Sequence, residues 1–186
     1  MKDLTDALYE FSDLFQRIGV PYVVMGGLAV RLYGLPRPTY DLDYTILLSR
    51  GQLPDLYDRA EELGYTVAPP YRAGWIDEVA GLPLVKFGLY VQGKIIDIDV
   101  FLAETDYQRE VLARRRREEV EEHSVWVVSP EDLILLKALA NPPRDRLDIG
   151  DVRFMQGNLD ETYLRQWAGR LQIADRFEEI WRETAM

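Results

Sequence analysis

The sequence predicts an α/β (α+β) protein in which a small mixed β-sheet is flanked by helices and a helical part follows at the C-terminal end. Two observations lead to this prediction. Segments with apolar residues at helical intervals alternate with short apolar strands over the first part of the chain. From Ser129 onward the pattern is helical throughout. We therefore expect a mixed core over residues 1–128 and a helical part over residues 129–186 that packs on this core.

The first elements alternate between helix and strand. Gly19 and Gly64 follow apolar periodic segments as helix-ending residues, and Gly34 with Pro36 and Pro38 ends the short helix between them. The predicted elements are a helix over residues 4–18, a strand over 21–25, a helix over 28–33, a strand over 41–48 and a helix over 53–63.

The middle of the chain reads as β-rich over residues 64–102. Apolar runs over residues 84–91 and 94–102 are joined by Gln92 and Gly93, which predicts a hairpin. Residues 106–122 read as a charged helix, and residues 125–128 read as a strand. Within that helix we expect three ion pairs four residues apart, namely Arg114–Glu118, Arg115–Glu119 and Arg117–Glu121.

The C-terminal part begins with a helix start at Ser129, where Pro130 and two acidic residues follow. This helix continues over residues 133–140 until Asn141, Pro142 and Pro143 break it. Further helices follow. The aromatic residues Trp167, Phe177 and Trp181 are interpreted as helix-packing residues.

The composition limits the function. The chain has 186 residues, with 22 basic and 32 acidic side chains and a formal net charge of −10, which disfavours nucleic acid except as a locally recognised acceptor. It has no cysteine and a single histidine, His123, to which we assign no catalysis, so any metal must be held by oxygen ligands. The N-terminus lacks a signal-peptide pattern, and no apolar stretch approaches the ~20 residues of a membrane helix. A cytoplasmic protein without membrane contact is expected.

Asp41 and Asp43 are the first candidate site residues. They lie two residues apart on a predicted strand, so both side chains point to the same face of the sheet. Two close carboxylates repel each other and require a counter-charge. Mg²⁺ or Mn²⁺ is the expected ion, since both prefer oxygen ligands.

Two further features support a site at this place. Gly26 and Gly27 lie between a strand and a helix, where glycine lets the backbone approach a phosphate, although a tight turn also explains them. Asp97 and Asp99 share one face of an otherwise apolar strand, although a solvated face also explains them. The combination of a glycine turn with carboxylates on two strands is typical of a two-metal phosphoryl-transfer site.

Three motifs, taken in their order along the chain, resemble those of a known protein family. A hydrophobic residue with Gly26 and Gly27, then Asp41-Leu42-Asp43, then an acid on a later strand, resembles the nucleotidyltransferase superfamily with a DNA polymerase β-like fold. The segment Arg37-Pro-Thr39-Tyr-Asp41 is similar to the AbiEii-like branch of toxins and uncharacterised nucleotidyltransferases. The later segments around Lys137 and over residues 144–149 are similar to the same branch.

The resemblance implies Mg-dependent transfer of a nucleoside monophosphate (NMP) from a nucleoside triphosphate (NTP) to an unidentified acceptor, which is a protein, a small molecule or a tRNA end. It also implies a candidate role as the toxin of a toxin–antitoxin pair, with an antitoxin protein as partner. The implied catalytic residues and metal ligands are Asp41, Asp43 and Asp99, with Asp97 as the alternative third carboxylate. The implied nucleotide-binding residues are Gly26, Gly27, Arg37, Thr39, Lys137 and Asp148. Asn141 departs from the branch, where this position is often basic.

Alternative interpretations remain open. A snorkelling lysine explains Lys137 as well, and capping or pairing at a helix start explains Arg144, Asp145 and Asp148. The chain could be a catalytically inactive nucleotide-binding or interaction module of the same fold. Asp41-Leu-Asp43-Tyr-Thr45 also matches the motif of haloacid-dehalogenase-like phosphatases, with Asp41 as nucleophile. In that class the apolar run precedes the nucleophile, whereas here it follows.

Overall fold

The computed structural model describes residues 2–141 and 143–185. Helices flank one mixed β-sheet, which confirms the predicted fold class. The strands are β1 Tyr22–Met25, β2 Asp41–Ile46, β3 Thr66–Val67, β4 Asp77–Val79, β5 Leu82–Val91, β6 Lys94–Leu102, β7 Arg116–Val120 and β8 His123–Val127. The helices are α1 Leu4–Arg17, α2 Gly26–Tyr33, α3 Leu53–Glu62, α4 Pro69–Arg72, α5 Asp106–Ala113, α6 Pro130–Ala140, α7 Pro143–Gln156, α8 Glu161–Arg170 and α9 Ala174–Glu183.

The sheet has the strand order β3-β5-β6-β2-β1-β8-β7, and β4 pairs with β5 beside this path. The central strand β2 runs antiparallel to β1 and parallel to β6. In the parallel register, Asp41 lies opposite Asp97 and Asp43 lies opposite Asp99. Neighbouring positions of adjacent strands share a face, so the candidate carboxylates from the two strands lie side by side.

The core lies between this sheet and its helices. β1 is buried along its whole length, and α1 covers the sheet with an apolar face that includes Phe11 and Phe15. The rings of Phe11, Phe15 and Tyr44 contact one another in this layer. The apolar face of α1 therefore packs on the sheet, and this packing stabilises a helix that would be marginal in isolation.

Most predicted elements are confirmed with shifted ends. The hairpin of β5 and β6 turns at Gln92 and Gly93, both at positive φ, as a tight two-residue turn requires. The second helix begins at Gly26 rather than at residue 28. Ser129 caps α6 through its side chain, and Asn141 ends that helix in the left-handed region, while Pro142 lies outside the described residues.

The predicted charged helix over residues 106–122 is wrong beyond its first turns. The helix α5 ends at Ala113, and the following residues form the edge hairpin of β7 and β8, whose turn contains Glu121 at φ 54°. The expected helical pairs Arg114–Glu118, Arg115–Glu119 and Arg117–Glu121 are therefore wrong too. Arg114 instead forms ion pairs with Glu131 and Asp132 of α6. Pairing with α6 and β8 overrides the local helical pattern.

The C-terminal part is helical, as predicted. Helices α6 and α7 contact α2 of the core, and α8 and α9 pack on α6. Trp167, Phe177 and Trp181 are buried among these helices, which confirms their interpretation as packing residues. Among the described residues, none of the helices combines the length and apolar character needed to cross a bilayer.

Candidate active site

A cavity of about 330 Å³ opens between the sheet, the N-terminus of α2 and helices α6 and α7. Seven residues selected from the sequence lie in its wall, namely Gly26, Gly27, Arg37, Thr39, Asp41, Asp43 and Lys137. They come from α2, the loop before β2, β2 itself and α6. The structure thus brings together side chains that are far apart in the sequence.

The two glycines let the chain turn tightly against the acidic strand. Gly26 has φ +64°, and a Cβ atom built on it would lie 1.8 Å from Oδ2 of Asp43. A Cβ atom on Gly27 would lie 2.2 Å from Oγ1 of Thr39. No side chain in the described part of the structure caps the first turn of α2 at Met25. The first N–H groups of this helix therefore stay available for an anion beside Asp43.

Asp43 is the most strongly perturbed carboxyl group of the site. Burial, followed by the charges of Asp41 and Asp99, raises its pKa to about 7. Among the described residues, its side chain accepts no hydrogen bond, whereas Oδ1 of Asp41 accepts one of 2.8 Å from Thr39. The carboxyl group of Asp43 therefore lies in a partly buried position without the donor that would stabilise its charge.

Asp99 lies next to Asp43, and one of its carboxylate oxygens has no hydrogen-bond partner among the described residues. Burial raises its pKa, and a 3.1 Å ion pair between its Oδ2 and Nζ of Lys86 opposes this effect. Its Oδ1 is buried without a hydrogen-bond partner in the described structure. Asp97 lies one row further out, opposite Asp41, and is exposed. Of the two acids, Asp99 is therefore the one that lies opposite Asp43 and the less exposed.

The residues fit a divalent cation by their chemistry. In the part of the chain that the structure describes, no three acidic or histidine side chains already converge as a metal cage. One reason is that Lys86 and Thr39 hold oxygens of Asp99 and Asp41. An orphaned oxygen on Asp99 and the mutual repulsion of the three acids are nevertheless what a bound Mg²⁺ or Mn²⁺ would relieve.

The predicted basic residues form an ion-pair network. Arg37 donates two hydrogen bonds of 2.8 Å to the carboxylate of Asp148. Lys137, which is buried, lies 2.7 Å from Asp148 and 2.6 Å from Asp145. Burial acts to raise the pKa of Asp148, but hydrogen bonds from Arg37 and Lys137 outweigh it and lower that pKa. Asp148, which is not a lining residue of the cavity, thus connects α7 to the loop before β2 and to α6.

Sequence reasoning missed several residues around the cavity. Lys86 was not predicted as a site residue, because it lies in an otherwise apolar strand. Its position opposite Asp99 follows once the register of the hairpin is known. Val79 at the end of β4 and Ala80 in the turn that follows also line the wall, and only the fold brings them there. The remaining uncharged lining residues are Met25, Pro38, Tyr40, Leu82, Phe101, Leu133, Leu136, Leu139 and Ala140.

Solved structures share this architecture. The lincosamide antibiotic adenylyltransferase LnuA, in its lincomycin-bound structure, superposes with a TM-score of 0.56 at 15% identity, covering 83% of this chain and 99% of that one. A nucleotidyltransferase-like protein from Paracoccidioides brasiliensis gives 0.53 at 17% identity, covering 90% and 88%. ANT(2'')-Ia in complex with adenylyl-2''-tobramycin gives 0.51 at 15% identity, covering 96% and 97%. The chain has a nucleotidyltransferase fold.

At these identities the likeness concerns the fold alone, and this is the fold that the sequence motifs predicted. No protein-family model and no curated protein matches the chain. The AbiEii-like branch therefore stays a prediction.

Proposed function

We propose that this protein is a nucleotidyltransferase that transfers an NMP from an NTP to a hydroxyl or amine acceptor with Mg²⁺ or Mn²⁺. One observation carries the proposal. The glycine turn, the uncapped N-terminus of α2 and the carboxylates of Asp41 and Asp43 line one cavity, and Asp99 adjoins them. A phosphate-binding turn beside clustered carboxylates is what nucleotidyl transfer requires.

Each part of the site has a chemical task in this proposal. The N–H groups at the start of α2 bind phosphate oxygens. The missing Cβ atoms of Gly26 and Gly27 leave room for the side chains of Asp43 and Thr39 to pack against this turn. Asp41, Asp43 and Asp99 would hold the cation. When bound, the cation neutralises charge on the phosphates. Arg37, Lys137 and Asp148 hold the loop and the helices that form the wall.

The reaction itself is an in-line displacement. The acceptor oxygen or nitrogen forms a bond to the α-phosphorus of the NTP. The bond from this phosphorus to the oxygen bridging the α- and β-phosphates breaks, and pyrophosphate leaves. The acceptor's proton passes to a carboxylate oxygen of the site that does not hold the cation.

A small molecule with an apolar body is the acceptor class that we favour. Two of the structural neighbours hold lincomycin and an adenylylated tobramycin, both small molecules. In this chain, the cavity wall is largely apolar and the net charge is −10, which supports a small acceptor over a polyanion. A protein or tRNA end is the alternative acceptor within the same proposal.

A second candidate is a nucleotide-binding module without turnover. The ion pairs that already engage Arg37 and Lys137 favour it, since those side chains would otherwise contact the triphosphate. A toxin role with an antitoxin partner is a separate proposal, which rests on the resemblance to the AbiEii-like branch. Growth arrest on expression, relieved in Asp43→Asn, would support that role.

The test measures metal-dependent binding and transfer separately. We expect Mg²⁺ with the preferred NTP to raise the melting temperature of the wild type by several degrees, because both bind the folded state only. Asp43→Asn should lose this shift and reduce transfer of α-labelled NMP at least about a hundredfold. Asp13→Asn, a change of an exposed acid on α1, is the control that keeps both properties.

The outcomes separate the candidates. A metal-dependent melting shift without transfer to any hydroxyl or amine acceptor supports the module without turnover. Wild-type protein that shows neither shift nor transfer with any NTP contradicts the proposal. Comparison of Asp99→Asn with Asp97→Asn identifies the third carboxylate, and we expect the larger loss in Asp99→Asn.

A further inference from the structure

Within the described residues, three cationic side chains line the cavity, and they differ in their partners. Arg37 is paired with Asp148, and Lys137 is paired with both Asp145 and Asp148. These two positive charges are therefore neutralised by carboxylates of α7. Moving either side chain toward a phosphate would leave a buried or partly buried carboxylate without its counter-charge.

Arg144 differs from the other two cations. It lies in the first turn of α7, is exposed, and forms no ion pair in the described part of the chain. Its one hydrogen bond there is a 3.3 Å contact from Nη2 to the carbonyl oxygen of Pro38. A guanidinium group carries five N–H donors, so most of its donor capacity stays unused.

The contact with Pro38 links the guanidinium group of Arg144 to the loop that packs against the glycine turn. Pro38 lies between Arg37 and Thr39, and Oγ1 of Thr39 would lie 2.2 Å from a Cβ atom built on Gly27. The carboxylates of Asp41 and Asp43 line the same cavity. A polyphosphate bound along the start of α2 would therefore pass within reach of Arg144.

Two neighbours of Arg144 in the sequence, Asn141 and Arg146, contact groups outside the cavity. Oδ1 of Asn141 accepts a hydrogen bond from Arg146. Arg146 is in turn paired with Glu179 and Glu183 of α9. Neither Asn141 nor Arg146 lines the cavity. Arg144 is therefore the cation of this segment that lines the cavity, and it has no acidic partner in the described structure.

We propose that Arg144 binds the β- and γ-phosphates of the NTP and holds the pyrophosphate as it leaves. This inference rests on the proposed function and assigns the phosphate grip to a residue that is distinct from Arg37 and Lys137. A planar guanidinium group suits such a task, because it donates two parallel hydrogen bonds to phosphate oxygens.

The test uses binding rather than turnover. Magnesium pyrophosphate is the probe, because it carries the phosphates without a nucleobase. Calorimetry measures its affinity together with the affinities of the NTPs and the matching NMPs. We expect Arg144→Gln to weaken pyrophosphate and NTP binding about tenfold or more, with NMP binding unchanged. Arg144→Lys should recover part of the loss, because it keeps the charge without the planar donor pair.

Arg17→Gln is the matched control, because it removes the same charge from an exposed arginine of α1 outside the cavity. Equal pyrophosphate affinity in Arg144→Gln and Arg17→Gln would overturn the inference, and so would an equal loss for NMP and NTP in Arg144→Gln. Wild-type protein that binds neither NTP nor pyrophosphate would instead overturn the proposed function on which the inference rests.

Discussion

At Gly26, the absence of a Cβ atom allows the side chain of Asp43 on β2 to approach the backbone closely. The residue has φ +64°, and its neighbour across the turn is the carboxylate of Asp43. Two separate features exclude a side chain at this position. The backbone is in the left-handed region, and the carboxylate of Asp43 occupies the space that a Cβ atom would need. Glycine is compatible with both, and the sequence alone suggested only a turn or a phosphate loop.

Gly26→Ala should therefore destabilise the protein more than the same change at Gly19. Gly19 has a similar φ of +68°, but no heavy atom described by the structure lies within 4 Å of the point where its Cβ atom would be. We expect a loss of about 1–2 kcal/mol at Gly19 from backbone strain, and a further loss of about 1–3 kcal/mol at Gly26 from the clash. Denaturant unfolding of both variants measures the difference. Equal losses would contradict the close approach of Asp43.

At the scale of elements, Asp148 joins three segments that carry site residues. It accepts hydrogen bonds from Arg37 of the loop before β2 and lies 2.7 Å from Lys137 of α6. Asp148 itself lies on α7, with its side chain buried. This ion-pair network defines the position of the loop that carries Thr39 and therefore the shape of the cavity mouth.

Removal of this carboxylate should be costly. Asp148→Ala leaves Arg37 without its partner, and we expect a loss of about 3–5 kcal/mol in unfolding free energy at pH 7. The exposed pair of Arg50 and Glu104 is the control, since Glu104→Ala should cost at most about 1 kcal/mol despite similar two-point geometry. Comparable losses for the two variants would contradict the role of burial.

The same carboxylate predicts a pH dependence. The pKa of Asp148 is lower in the folded state than its ordinary value. Its ionised form is therefore stabilised by folding, and this stabilisation is complete above the ordinary pKa of aspartate and is lost as the pH falls through the lowered one. The difference in stability between the wild type and Asp148→Ala should accordingly shrink below about pH 4. A constant difference from pH 7 to pH 2 would contradict the shift.

The hairpin of β7 and β8 offers a second test at this scale. Glu121 lies in its turn at φ 54°, a conformation that asparagine tolerates better than glutamate. We expect Glu121→Asn to stabilise the protein by about 0.5–1 kcal/mol, whereas Glu119→Asn within β7 should not. Thermal unfolding measures both. Destabilisation by Glu121→Asn would contradict the hairpin turn at this position and support the helix that the sequence predicted over residues 106–122.

At the scale of the whole molecule, a buried cluster connects the mixed core to the C-terminal helices. The carboxylate of Asp132 is fully buried and accepts hydrogen bonds from Ser129, Tyr163 and Arg114. Arg114 comes from the segment after α5, and Tyr163 lies on α8. The two parts expected from the sequence thus share a satisfied polar network, in addition to the contacts of α6 and α7 with α2.

We therefore predict that residues 1–128 and 129–186 unfold together. Calorimetry should show one transition whose van 't Hoff and calorimetric enthalpies agree. Asp132→Ala should lower the midpoint without splitting the transition, because the helices still share an apolar interface with the core. Two separate transitions in the wild type would show that the parts are independent domains.

The sequence by itself determined the features that depend on short-range pattern. The helices with an apolar face, the glycine turn before α2, the tight hairpin at Gln92 and Gly93, and the acids of β2 and β6 all follow from residue type and spacing. The fold class, the two glycines and the acids of β2 could be predicted for this reason, whereas Arg37, Thr39 and Lys137 were predicted from the resemblance. In each case, a local rule such as strand alternation or a left-handed turn acts without help from distant segments.

Only the tertiary structure decided which partner each charge finds. The arginine and glutamate residues after α5 have a helical pattern, yet they form a strand because β8 and α6 supply the partners. The resemblance implies a nucleotide-binding role for Arg37 and Lys137, yet Asp145 and Asp148 neutralise both side chains. Arg144 forms no ion pair in the described structure. The physical reason is that ion pairs and strand pairing join residues distant in the sequence, and their energies depend on burial that no local pattern specifies.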